Sequence, residues 1–153
     1  MAGLVAGFDK ASEVVRHEHE AINSELSELE ACLKALVCYS EVYADLSPVE
    51  RLDRCGRHLQ TTLPEHFRNE ESTIFVDLET AFPRLQSFVQ QMKRQHSDLQ
   101  AGFDQFCHVL DEVDESNDVE QTICDLKQTG LDFTRAMMAH IATEESGLGG
   151  FAR

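Results

Sequence analysis

The stretch HFRNEEST, residues 66–73, recurs in outline seventy-four residues later as HIATEESG, residues 140–147. Each copy places a histidine four residues before a glutamate, His66 with Glu70 and His140 with Glu144. Residues at i and i+4 share one face of a helix, so the meaning of the pairs depends on whether that face meets water or core. Counting outward from them in threes and fours settles the direction. In the second copy the stripe runs back through Met137, Phe133, Gly130, Leu126, Ile123 and Val119. In the first it runs through Leu63, Leu59, Cys55 and Leu52, and forward to Ile74. Both pairs therefore lie on apolar stripes that a helix turns toward a core.

Two further stripes have the same spacing. Val15, His19, Ile22, Leu26, Leu29, Leu33 and Leu36 form one, and Phe82, Leu85, Val89, Met92, His96, Leu99, Phe103, Phe106 and Leu110 the other. Each carries one histidine in phase, while His17 and His108 fall out of phase and read as solvated. The breakers between stripes are few: Ser47-Pro48-Val49-Glu50 as a capping box with proline at the first helical position, Thr80 to Pro83, and Asp114 to Asp118 with Asn117 and Glu120 as cap partners. These predict helices over 9–44, 48–79, 83–113 and 118–146, an all-α, up-down-up-down four-helix bundle forming a single domain over 1–153. Pro64 inside the second stripe predicts a kink or a local reset of phase.

Composition narrows the function classes. A formal charge of −15 opposes nucleic acid and anionic membrane surfaces, both of which call for surplus Lys and Arg. The apolar start MAGLVAGFDK has no basic residues before it and is closed by Asp9 and Lys10, so it reads as neither signal peptide nor span, and the expected location is the cytoplasm. Five cysteines (Cys32, Cys38, Cys55, Cys107, Cys124) with no CxxC pair fit neither a disulfide framework nor a thiolate zinc site. No GxGxxG, P-loop or GxSxG motif is present, and no catalytic residue is assigned.

Every stripe thus contains a histidine, and two contain glutamate. A lone core histidine is usually structural, but buried carboxylates cost several kcal/mol unless paired or bound to a cation, and no Lys or Arg lies in phase to pair them. Two glutamates and four histidines converging inside a bundle make a dinuclear metal site, with carboxylates able to bridge two ions. Mixed nitrogen and oxygen ligation without thiolate suits iron or manganese. His58, eight residues before His66 and about 80° around an ideal helix, is a candidate fifth histidine if Pro64 swings it inward. Glu71 and Glu145 could accept from ligand imidazoles, although a solvated face is the slightly preferred reading.

The early histidine, the HFxxEE signature and the late HIxxEE signature resemble the hemerythrin-like, or HHE cation-binding, domains over about His19 to Glu145. The resemblance implies His19, His66, Glu70, His96, His140 and Glu144 as di-iron ligands, with Glu70 and Glu144 bridging. It also implies two iron ions (Fe2+/Fe3+), with room for an oxo or hydroxo bridge, in preference to manganese or zinc. Oxygen-carrying hemerythrins have two histidines four apart on the third helix and a late aspartate at plus five. Here Met92 and Gln100 flank His96 and the acid is Glu144 at plus four, so the chain looks closer to bacterial hemerythrin-like proteins, including those similar to di-iron proteins that repair iron centres. The expected function is a non-haem di-iron protein that binds or reacts with O2, NO or peroxide, in sensing, detoxification or iron-centre repair, with no protein partner specified. The alternative is a metal-binding sensor or interaction module with a structural dinuclear site and no turnover; a metal-free bundle is the remaining one.

Overall fold

The computed structural model describes residues 2–36 and 47–151. Five α-helices follow in order: α1 (Ala2–Ala35), α2 (Ser47–Ser72), α3 (Ile74–Ala81), α4 (Gln86–Glu112) and α5 (Val119–Phe151), with a 3-10 turn at Pro83–Leu85 before α4. The expected run of the first helix to 44, with Cys38, Tyr39 and Tyr43, lies outside the described residues, as does the side chain of the expected Ser47 cap.

α2 runs through Pro64 without changing phase, since Leu52, Leu59, Leu63, His66 and Glu70 are all buried. The local reset of phase expected at Pro64 is therefore not found, and the interruption of the helix lies further on. It comes at Thr73, where φ is −123° and ψ −85° and one long helix was expected. The Thr73 N–H donates to the Glu70 carbonyl at 3.4 Å, three residues back, while the Thr73 hydroxyl donates to the Asn69 carbonyl at 2.5 Å and the Ser72 hydroxyl to the same oxygen at 3.3 Å. α3 ends at Phe82, whose φ of −135° and ψ of 78° are those of a residue pushed out of the helical region by the proline that follows. At the start of α5 the cap is Asp118 rather than Asn117: its Oδ1 accepts the Gln121 N–H at 3.1 Å, and Ser116 Oγ accepts the Asp118 N–H at 3.1 Å. Val119, expected on the seam, is exposed one turn beyond the core.

α1 packs on α2 and α5, and α4 on α2 and α5, so the four long helices close a square. Their directions follow from the core, which is two clusters rather than one. The larger contains Ile22 to Leu36, Leu52 to Phe67, Leu99 to Val113 and Ile123 to Ile141. The smaller contains Phe8, Val15, Ile74, Phe75, Leu78, Leu85, Val89, Met92 and Leu148. From the smaller cluster to the larger, α1 and α4 run forward and α2 and α5 run backward, which is the up-down-up-down order. Between the clusters lies one layer of polar side chains. Among the described residues no helix is long and apolar enough to cross a membrane.

Candidate metal centre

The layer consists of His19, His66, Glu70, His96, His140 and Glu144, and none is more than 3% exposed. On each helix the polar residue or pair occupies the seam between an apolar neighbour in one cluster and an apolar neighbour in the other, as His19 does between Val15 and Ile22 and His140 with Glu144 between Met137 and Leu148. All six seam candidates therefore meet at one level of the bundle.

Their inward atoms converge on two overlapping groups. Glu70, His96, His140 and Glu144 bring ligand atoms within 4.8 Å of one another, and so do His19, His66 and Glu70. Glu70 belongs to both. Its Oε1 lies 3.1 Å from His19 Nε2 and 2.8 Å from His66 Nε2, while its Oε2 lies 3.1 Å from His96 Nε2. Glu144 is divided likewise, with Oε1 3.4 Å from His19 Nε2 and Oε2 3.2 Å from His140 Nε2. Every ion pair that either carboxylate makes among the described residues is with a histidine.

The outer ring nitrogens are held as well. His19 Nδ1 lies 3.2 Å from Glu145, His66 Nδ1 2.6 Å from Glu18, His96 Nδ1 2.9 Å from Glu71 and His140 Nδ1 2.7 Å from the Gln95 side-chain oxygen. These oxygens accept, so each Nδ1 donates and each Nε2 faces inward, offering a lone pair when the ring is neutral. Glu71 and Glu145 thus hold imidazoles and are not merely solvated. Glu18 and Gln95 were not singled out by the sequence reading. The signal available was that each directly precedes a seam histidine, but each serves the histidine of the neighbouring helix.

Hydrogen bonding alone leaves this layer incomplete. His66 Nε2, Glu70 Oε2 and both oxygens of Glu144 are buried and, although close to oppositely charged neighbours, are not aligned for a hydrogen bond with any of them. The Nε2 atoms of His96 and His140 stand 3.2 Å apart, a separation that needs a proton or a cation between two lone pairs. Orphaned acceptors and facing nitrogens are what a cation would satisfy, so the donor set fits a metal. Protons serve otherwise. Burial opposes charge on His19, yet the carboxylates of Glu144 and Glu70 outweigh it and hold the imidazole up to about 10. Burial likewise opposes charge on His96, and the same carboxylates raise it to about 9. His66 is raised against its burial by Glu70. Burial would push Glu70 and Glu144 up, but the surrounding histidines hold both well below the usual carboxylate range.

His58 does not join the layer. It is 64% exposed and pairs through Nδ1 with Glu25 of α1, because α2 keeps its phase and leaves His58 turned off the seam. His17 and His108 are exposed beside Glu20 and Glu112. Cys32, Cys55 and Cys107 are free thiols, and burial pushes Cys107 up to about 11, the condition of an unreactive thiol.

Residues 10–152 match the hemerythrin HHE cation binding domain. The chain belongs to that family. Neither the curated proteins nor the solved structures yielded a match. The family binds a cation, and the buried histidine and glutamate layer supplies the donors for one in this hemerythrin-like chain.

Proposed function

We propose that this hemerythrin-like chain is a non-haem di-iron protein of the cytoplasm, one domain over 1–153, that binds or reacts with O2, NO or peroxide in sensing, detoxification or iron-centre repair. The observation that carries it is the pair of ligand groups sharing Glu70, with four imidazoles and two carboxylates around two positions. The proposed ligands are His19, His66, Glu70, His96, His140 and Glu144. Nitrogen and oxygen donors without thiolate favour iron or manganese over soft metals, and the family resemblance favours iron.

Bound iron would supply the redox chemistry and the open coordination positions at which a diatomic or peroxide ligand reacts. The protein's part is placement. The outer acceptors lock ring orientation, so that all four Nε2 atoms point inward. Phe67 stacks on the His96 ring at 4.1 Å and Phe75 at 5.5 Å on an interplanar angle of 20°, so this imidazole is clamped between apolar faces that exclude water.

Chain purified from iron-supplemented cells should carry about two iron ions, as inward-facing carboxylate bundles do, with an optical band that responds to O2 or NO and is lost in His66→Ala. Consumption of O2, NO or peroxide supports a reactive centre, and iron-dependent stability without consumption supports the sensor or interaction module. A chain that stays iron-free and equally stable refutes both.

A further inference from the structure

The four outer contacts form a ring. Glu18 of α1 holds His66 of α2, Glu71 of α2 holds His96 of α4, Gln95 of α4 holds His140 of α5, and Glu145 of α5 holds His19 of α1. The ring follows the internal repeat of the chain: Glu18 and Gln95 are related by the same seventy-seven residues as His19 and His96, and Glu71 and Glu145 by the same seventy-four as His66 and His140. Three members are carboxylates. Gln95 is the neutral one, standing where the repeat places Glu18.

Each of these two mates borders a cleft, with Glu25, Glu65 and His58 also lining the one beside Glu18 and Asp98 the one beside Gln95. A cleft of about 230 Å³ opens beside Glu18 and His66, and one of about 290 Å³ beside Gln95 and His140. Both hydrogen bonds are short, 2.6 and 2.7 Å. The difference between the arms is charge. A carboxylate on Nδ1–H pushes electron density to Nε2 and makes the imidazole a better donor to a cation, whereas an amide oxygen orients the ring without adding that push.

We propose that Gln95 is a positioning residue that makes His140 the weak arm of the centre, the imidazole that lets go of a bound divalent cation first. This rests on the metal-binding reading above. Of the two ligand groups, the one of Glu70, His96, His140 and Glu144 would release a bound cation first, and a cleft borders it at His140. Glu18 on the opposite side makes His66 a tighter arm.

The test uses the full chain loaded with cobalt(II) alone, with release to excess chelator followed by visible absorption. Wild type should lose cobalt in a fast and a slow phase. Gln95→Glu should slow the fast phase about 10-fold and Gln95→Leu should speed it by a similar factor, the scale on which outer partners act. Glu18→Gln should speed the slow phase. Helical dichroism of the metal-free variants should match wild type at the assay temperature, which separates the effect from misfolding. Opposite shifts from Gln95→Glu and Gln95→Leu support the inference, since a purely structural residue would not give them. Release at the wild-type rate, or shifts in one direction, overturns it while leaving the metal-binding reading standing. A wild-type chain that takes up no cobalt overturns both.

Discussion

Glu70 is the residue shared by the two ligand groups, so its loss should do what no other single change does. In Glu70→Gln the shape is kept and one negative charge is removed from a carboxylate lying 2.8 to 3.1 Å from three Nε2 atoms. Removing one partner of a buried charge cluster costs about 3–5 kcal/mol. At about 1.4 kcal/mol per factor of ten, cation retention should weaken roughly 100- to 3,000-fold at both positions. Glu144→Gln should act chiefly on the four-donor group, because Glu144 reaches the other group only through His19 at 3.4 Å while Glu70 holds both His19 and His66 there. The expected stoichiometry after desalting at micromolar protein therefore falls from about two ions in wild type to about one in Glu144→Gln and none in Glu70→Gln, on the pattern of a carboxylate-bridged bundle. Calorimetric titration of metal-free protein with iron(II) or cobalt(II), beside helical dichroism of each variant, reads this directly. The reasoning is refuted if folded Glu70→Gln keeps both ions at wild-type affinity, or if it loses only the ion that Glu144→Gln loses.

Three other outcomes follow from the same geometry. Protonated His19 and His96, raised to about 10 and 9 by the two carboxylates, stabilise the metal-free fold fully below their ordinary value near 6.5 and lose that contribution as pH rises through 9 to 10. Lowered Glu70 and Glu144 contribute above about 4.5 and lose it as pH falls, so the thermal midpoint of metal-free protein should decline on both sides, and a bound cation should flatten the alkaline limb. His58→Ala should leave cation stoichiometry and affinity unchanged in titration, because the ring lies outside the layer against Glu25; a lost ion would contradict the placement. In Gly130→Ala a new Cβ would stand 2.7 Å from both methyls of buried Leu33 and 3.1 Å from Phe106. Overpacking of about 1–3 kcal/mol should exceed the gain of roughly 1 kcal/mol in helix propensity, and urea denaturation showing a more stable protein would refute it.

The seam was readable because burial on a helix repeats at a fixed period: His19, His66, His96 and His140 occupy positions their neighbours reserve for Leu, Ile and Phe, and all four are buried with both glutamates. Less readable was whatever depends on helix neighbours. Glu18 and Gln95 look like ordinary flanking polar residues until α1 faces α2 and α4 faces α5. The break at Thr73 was hidden for another reason. Ser72 and Thr73 suit a helix surface and give no stop signal, yet the backbone leaves the helical region at Thr73, while Pro64, the stronger breaker on paper, is absorbed inside the helix.

The position of the layer bears on what it is for. Replacing a buried charged cluster by apolar residues of similar volume is often neutral or stabilising by about 1–4 kcal/mol, so a bundle built for stability alone would run its leucines through this level. Here the apolar core is divided instead, with Val15, Ile74, Met92 and Leu148 on one side and Ile22, Leu63, Leu99 and Met137 on the other. Two carboxylates in that gap need positive charge whatever the state of the chain. Without a cation it comes as protons on imidazoles whose outer nitrogens are already tied. With one it would come from the ion and those protons would leave, so cation binding would be coupled to proton release. The polar layer is thus a place where the fold exchanges one kind of positive charge for another without opening either apolar cluster.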